Sequence, residues 1–261
     1  MKFSGVQFSN REKLIENRYW LLFLIFMIMA NLVAVAFPDH ARYYTSESNF
    51  YQNLGAVSLF VAVLFMLATI WQLWQTEIKS MPFKKVWYTG FTGVLMLAFG
   101  EETSWGQHFF EFEVPESIRE INEQQEFNLH NLKYVHGLHP DKSQKTGLLR
   151  WFTAHRMFYS FLAVFLVVLP FMNFLFGFFS DLMRKVQMIM PSRWTGVVLI
   201  MSFLIARLFQ FGYSHVHPEM YHTLAEIMEV HIEITLLSVA IVFYRNARRY
   251  NLNASVAESS Y

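Results

Sequence analysis

The chain has 261 residues, of which 54% are hydrophobic and 18% aromatic, and its formal net charge is +1. This composition is typical of a polytopic membrane protein, and the balanced charge gives no reason to expect a nucleic-acid partner. The absence of cysteine excludes disulfides, thiolate metal sites and cysteine nucleophiles.

Six apolar segments are long enough to cross a bilayer, because a helix of about 20 residues spans roughly 30 Å of hydrocarbon. None alternates apolar and polar residues as the strands of a membrane β-barrel do. We therefore predict an all-α, polytopic bundle of six transmembrane helices. The predicted spans are 19–37, 53–74, 86–105, 152–176, 194–213 and 220–244.

Lysine and arginine flank the first and last spans and fill two of the intervening connections, which by the positive-inside rule places both termini in the cytoplasm. We predict a multipass protein of the bacterial inner membrane, with one transmembrane domain over 1–250. A loop over 106–151 is expected to cap the outer face, with a short helix from Pro115 to Glu126. The polar tail, 251–261, is predicted to be disordered.

Histidines are concentrated at the predicted outer face, where nine of the ten lie. Histidine titrates near neutral pH and is a common metal ligand, so this face is where chemistry is expected. His231 falls well inside the last span and is interpreted as structural. The other nine are His40, His108, His130, His136, His139, His155, His215, His217 and His222.

The last span carries three glutamates and a histidine on one helical stripe. Each carboxylate in such a position costs about 2.5–3.5 kcal/mol on insertion scales, so these side chains should face the protein interior and find partners. A functional site is the favoured interpretation, and buried, hydrogen-bonded packing carboxyls are the alternative. The stripe is His222, Glu226, Glu229 and Glu233.

The third span ends in Glu101-Glu-Thr-Ser-Trp-Gly-Gln-His108. If the helix continues to His108, then Glu101, Ser104, Trp105 and His108 share a face. The adjacent carboxylates of Glu101 and Glu102 should repel unless a cation or proton lies between them. Trp105 is also where an interface anchor is expected.

Span five contains Arg207 deep in its apolar sequence, where a guanidinium needs a counter-ion. Glu226 or Glu229 on the following helix is the expected partner. A structural ion pair and a substrate-binding or headgroup-binding role are both open.

Histidine nitrogen and carboxylate oxygen without thiolate suit a divalent metal, and Zn²⁺ is the first choice. The predicted metal ligands are His108, His130, His217, His222 and Glu226. The predicted catalytic residues are Glu101, Glu102, Ser104 and Glu229. The residues predicted to bind substrate or to form an ion pair are Arg207, Trp105 and His155.

Two motifs resemble a family of uncharacterised bacterial multipass membrane proteins. The first is the Glu-Glu-x-Ser-Trp-Gly-Gln run from Glu101 to Gln107, and the second is Asn128-Leu-His-Asn131, preceded by Asn122-Glu-Gln-Gln-Glu126. The resemblance covers about 101–132 and implies a site in these segments, but it implies no particular reaction.

A second likeness is limited to Ser104-x-x-x-His108, which is similar to an element of the alkaline ceramidase and adiponectin-receptor superfamily of intramembrane zinc hydrolases. Those proteins carry a later His-x-x-x-His pair, whereas the nearest pair here, His217 and His222, is spaced by five. By analogy, the likeness implies a zinc-dependent amide or ester hydrolase with a lipid-accessible cavity.

Three functions follow from these patterns. The first is a membrane-embedded, metal-dependent, hydrolase-like enzyme that acts on a lipid or lipid-linked substrate from the outer side, with membrane lipids as its partners. The second is a proton- or cation-coupled transporter or channel subunit that uses the intramembrane glutamates. The third is a non-catalytic assembly subunit whose cap binds another protein.

Overall fold

The computed structural model describes residues 10–45, 50–75, 82–133, 135, 146–147, 151–215 and 217–258. These residues form α-helices joined by turns, and a single antiparallel bridge between Asn122 and Leu132 is the extended pairing among them. The all-α prediction is therefore confirmed.

The helices in chain order are α1 (Asn10–Ala36), α2 (Pro38–Thr45), α3 (Phe50–Gln75), α4 (Pro82–Glu102), α5 (Gln107–Phe110), α6 (Glu116–Arg119), α7 (Ala154–Leu162), α8 (Leu169–Leu175), α9 (Gly177–Lys185), α10 (Arg193–Ser214) and α11 (Met220–Glu258). A π-helical segment, Ala163–Val168, joins α7 to α8 without a break. It directly precedes the turn that contains Pro170, which has no backbone N–H to donate.

In the described part of the chain, five helical segments are long and apolar enough to cross a membrane, and they coincide with five of the six predicted spans. They are Arg18–Ala36, Phe50–Gln75, Ala154–Leu175, Arg193–Tyr213 and Met220–Arg248. Helix α4, at the position of the predicted third span, is not among them, and charged residues lie near both of its ends: Lys84, Lys85, Glu101 and Glu102. The chain thus has the features of a multipass membrane protein, and the sixth crossing stays a prediction.

One predicted boundary is wrong. The helix expected from Pro115 to Glu126 ends at Arg119, because the side-chain oxygen of Asn122 accepts the backbone N–H groups of Gln124 (2.9 Å) and Glu126 (3.3 Å). Such side-chain bonds compete with helical ones. The last helix, α11, continues through Glu258, and the disorder expected for the tail stays a prediction. Extending a formed helix adds one hydrogen bond for each residue that is fixed.

The chain forms two compact units. The first unit comprises Met1–Gly55 and Ser192–Thr235, and the second comprises Ala56–Pro191 and Leu236–Tyr261. In the first unit, α1, α10 and the beginning of α11 bury two apolar clusters. One contains Ala30, Ala34, Met220, Leu224 and Ile227, and the other contains Trp20, Phe23, Met27 and Val198.

In the second unit, aromatic side chains fix helix α4. The ring of Phe91 lies 5.1 Å from Phe165 and 5.8 Å from Phe243, measured between centroids. Trp87 Nε1 donates a 3.0 Å hydrogen bond to the carbonyl oxygen of Val186. This packing holds the helix whose last turn carries Glu101 and Glu102.

Candidate functional site

The chain leaves the helical conformation directly after α4. Ser104, Trp105 and Gly106 all have positive φ, at +44°, +52° and +83°. The helix therefore does not continue to His108, and the face predicted to combine Glu101, Ser104, Trp105 and His108 does not form. The backbone of His108 lies in α5, and its side chain is outside what the structure describes.

The left-handed turn folds the indole of Trp105 back onto α4. A Cβ at Gly100 would lie only 2.8 Å from two indole carbons, Cδ2 and Cε2, so the ring lies flat against the helix at this glycine. Trp105 Nε1 donates to Glu101 Oε1 over 2.8 Å. A positive φ costs a residue other than glycine roughly 1–2 kcal/mol, and this contact helps to offset that strain.

Glu101 is the hub of the site because its carboxylate accepts four hydrogen bonds. Oε1 accepts a hydrogen bond from Trp105 Nε1. Oε2 accepts three, from the backbone N–H of Leu129 (2.8 Å), the backbone N–H of His130 (2.7 Å) and His130 Nδ1 (3.0 Å). All four partners are nitrogen atoms that can donate, so the geometry favours the ionised carboxylate. The end of α4 is thereby tied to a segment about 30 residues later in the chain.

The contact with Glu101 also selects the tautomer of His130. When Nδ1 donates to the carboxylate, the neutral imidazole keeps Nε2 as its unprotonated nitrogen. The side chains remain partly accessible, with 28% of His130 and 19% of Glu101 exposed. The ring of His155 lies 5.3 Å from that of His130, and Tyr159 stacks on His155 at 6.5 Å. Two imidazoles thus lie side by side next to one carboxylate.

Ser104 belongs to a second, buried network beside this pair. Its hydroxyl donates to Glu126 Oε2 over 2.6 Å, and Asn128 Nδ2 donates to the same Glu126 oxygen over 2.9 Å. Only 3% of Ser104 is exposed. The hydroxyl predicted to be catalytic is therefore directed to Glu126 and supports the loop.

The two segments that carry the sequence motifs interlock through amide side chains. Asn122 Nδ2 donates 2.9 Å bonds to both the backbone and side-chain oxygens of Asn128. Gln107 Oε1 accepts the backbone N–H of Phe127 over 2.8 Å. Our residue predictions missed Glu126, Asn122 and Gln107, although the motif segments contain all three.

The acidic stripe of α11 lies in the first unit. Glu226 and Glu229 are half-buried, and Glu233 is only 8% exposed. His222, expected to share this stripe as a metal ligand, is exposed at the beginning of the helix, with its ring perpendicular to that of Tyr221. The stripe thus becomes more buried along the helix.

Arg207 lies in the same unit, and within the described residues its contacts differ from the expected ion pair. Its Nη1 donates to Gln210 Oε1 over 3.1 Å, and its guanidinium carbon lies 5.1 Å from the ring centroid of Phe203. Within the described part of the chain, the contacts of this guanidinium do not include Glu226 or Glu229. The reason is that Arg207 lies on an exposed side of α10.

His217 lies in the turn before α11, where its Nδ1 is 3.1 Å from Glu219 Oε1 and its ring stacks on Tyr213 at 4.6 Å. The backbone N–H of Glu219 and the His217 side chain together lower the pKa of the Glu219 carboxyl below its ordinary value. This turn is a local structure rather than part of the Glu101 hub.

The predicted site residues therefore fall into two groups. Glu101, Trp105, His130 and His155 meet in the second unit, with Glu102 and Ser104 beside them along the chain, and the backbone of His108 belongs to the same unit. The other predicted residues lie in the first unit: Arg207, His217, His222, Glu226 and Glu229. Among the residues that the structure describes, no group of three or more histidine, aspartate or glutamate side chains is arranged to hold a metal ion.

The chain matches no protein-family model, no curated protein and no solved structure.

Proposed function

We propose that this chain is a membrane-embedded, hydrolase-like enzyme in which His130, oriented by Glu101, is the general base. The observation that carries the proposal is the 3.0 Å contact between His130 Nδ1 and Glu101 Oε2. A carboxylate in this position holds the imidazole in one tautomer and stabilises the imidazolium that forms when Nε2 takes a proton. The base would take that proton from a water molecule or a substrate hydroxyl.

The hydrogen bond from His130 Nδ1 to Glu101 would also orient His130 for binding a metal ion through Nε2. Histidine ligands commonly donate their second ring N–H to a carboxylate, as His130 does to Glu101. Two imidazoles on one tetrahedral zinc ion have ring centres about 5 Å apart, and those of His130 and His155 are 5.3 Å apart. We therefore centre the proposed divalent metal, Zn²⁺, on these two residues as the other use of the same nitrogen. A metal-bound Nε2 cannot also take a proton, so in a zinc form of the enzyme the metal would lower the pKa of a bound water in place of general-base catalysis by His130.

The proposed substrate is a lipid or lipid-linked molecule. Large apolar side chains are exposed close to the hub along the chain, and several flank the ends of α4 and α7. Aromatic side chains at the ends of spans are typical of the membrane–water interface. They are Trp105 (41% exposed), Phe109 (72%), Phe110 (80%), Trp151 (63%) and Phe152 (62%). From the positive-inside pattern, we place this end of α4 on the outer side of a bacterial inner membrane.

Membership of the uncharacterised family remains part of this proposal. Its two motif segments contact one another where Glu101 accepts the backbone N–H groups of Leu129 and His130, and Gln107 contacts Phe127 just before the second motif.

The test is turnover of a total membrane lipid extract by the purified protein in nanodiscs, followed by mass spectrometry. We expect product signals that disappear in both His130→Ala and Glu101→Gln. His40→Ala is the matched control, because His40 lies on α2 with its ring against Phe37, far along the chain from the hub. Lipids left unchanged by the unmodified protein, with and without added Zn²⁺, would contradict the proposal.

A second candidate function is favoured by the acidic stripe of α11. Glu226 and Glu229 are half-buried within the candidate span Met220–Arg248, and Glu233 is packed against Gly55. Intramembrane carboxylates mark proton and cation pathways. Ion flux into proteoliposomes that is lost in Glu229→Gln and retained in His130→Ala would place the transporter function first.

A further inference from the structure

Helix α10 presents an arginine on a face that is otherwise apolar and exposed. The neighbours of Arg207 on this face include Phe203, Leu208 and Phe211, which are 48%, 70% and 75% exposed. Within the candidate span Arg193–Tyr213, Arg207 is the one charged residue after the first position. Its position in the sequence thus places a permanent charge among side chains suited to lipid.

Among the residues that the structure describes, the partners that hold the guanidinium are neutral. Gln210 Oε1 accepts one hydrogen bond from Nη1, and the ring of Phe203 lies against the guanidinium carbon. Gln210 is only 4% exposed and is itself fixed, because its Nε2 lies 3.4 Å from the carbonyl oxygen of Tyr221 on α11. A buried amide thus orients an exposed cation, whose charge these contacts leave uncompensated.

A guanidinium has five N–H donors in a planar fork that fits two oxygens of a phosphate. In a membrane, an exposed arginine without a counter-ion is costly. Arg207 is seven residues before Ser214 at the end of α10, about 10 Å along the helix axis. A long side chain covers much of that distance, so its head can reach the phosphates of the lipid headgroups.

We propose that Arg207 binds the phosphate of an anionic phospholipid, whose acyl chains lie along Phe203, Leu208 and Phe211. Charge complementarity selects this occupant, because the exposed face supplies one cation surrounded by apolar surface. The proposal concerns the first unit and does not depend on the chemistry of His130.

The experiment measures lipid binding to the full-length protein in detergent by native mass spectrometry. Phosphatidylglycerol is titrated against phosphatidylcholine for the unmodified protein, for Arg207→Gln and for Arg42→Gln. The last variant is the charge-matched control, because Arg42 is an exposed arginine that is already paired with Asp39. We expect Arg207→Gln to bind phosphatidylglycerol about fivefold more weakly, while the control binds it as the unmodified protein does.

A second variant guards against a folding defect. Arg207→Lys keeps the charge but loses the planar fork, so we expect it to retain a reduced preference for phosphatidylglycerol. Equal binding of the two lipids by Arg207→Lys would contradict the proposal, as would unchanged phosphatidylglycerol binding in Arg207→Gln. Displacement of the lipid by millimolar inorganic phosphate alone would also overturn it, in favour of a free-anion site. Loss of an oligomer in Arg207→Gln with unchanged lipid binding would instead indicate a protein partner.

Discussion

The carboxylate of Glu233 occupies the space that a side chain on Gly55 would need. A Cβ at Gly55 would lie 1.8 Å from Glu233 Oε2 and 2.8 Å from its carboxyl carbon. Glycine at position 55 therefore allows α3 to approach the most buried carboxylate of the acidic stripe on α11. In the sequence, neither the periodic glutamates of α11 nor Gly55 alone predicts this contact.

Gly55→Ala should displace the Glu233 side chain and destabilise the protein. Overpacking a filled site typically costs about 1–3 kcal/mol, and here the displaced group is a buried carboxylate. Thermal unfolding in nanodiscs measures the effect. Gly93→Ala on α4 is the matched control, because nothing lies within 4 Å of the added Cβ there, and its stability should be unchanged or higher by up to about 1 kcal/mol. Equal stabilities of the two variants would contradict the expectation.

Glu101→Gln should loosen the segment that carries His130. An amide presents one acceptor oxygen and one NH₂ group, so it cannot accept all four hydrogen bonds that the carboxylate accepts. A hydrogen bond to a charged group contributes about 1.5–3 kcal/mol. We expect faster hydrogen–deuterium exchange at the Leu129 and His130 amides. The control is Glu113→Gln, at an exposed position, and exchange rates that match between the two variants would refute the hub role.

Gly100→Ala should push the Trp105 indole off α4. The added methyl group would lie 2.8–2.9 Å from three indole carbons, so the ring must move and the bond from Nε1 to Glu101 should break. The readout is the ¹⁹F spectrum of fluorotryptophan-labelled protein, assigned with Trp105→Phe. Gly90→Ala, with open space at its Cβ, should leave the Trp105 resonance in place. An unshifted resonance in Gly100→Ala would show that the ring is not held as described.

Zinc binding should depend on the imidazole pair. After equilibration with Zn²⁺ and removal of excess metal, elemental analysis should find about one zinc per chain in the unmodified protein and less in His130→Ala and His155→Ala. Removing a carboxylate that orients a histidine ligand typically weakens metal binding about 10–100-fold, so Glu101→Gln should bind with intermediate affinity. His40→Ala should bind as the unmodified protein does. Zinc content that is the same in all four variants would rule out this location for the metal.

The sequence by itself predicted the long apolar helices well. Five of the six predicted spans coincide with helices that are apolar enough to cross a membrane, because a backbone in lipid must satisfy its hydrogen bonds internally and a run of about 20 apolar residues has few other solutions. Sequence reasoning also selected four residues that the structure brings together, namely Glu101, Trp105, His130 and His155.

Only the tertiary structure decided how those residues are used. After α4, Ser104, Trp105 and Gly106 adopt left-handed backbone conformations. Helical periodicity therefore could not predict the hydrogen bond from Trp105 to Glu101 or the one from Ser104 to Glu126. The bond between Glu101 and His130 joins residues 29 positions apart, and Arg207 is paired with a neutral amide on its own helix. Helical periodicity predicts which residues lie on the same face of one helix. The contacts described here depend instead on how loops fold back onto the helices and on which face of a helix is exposed.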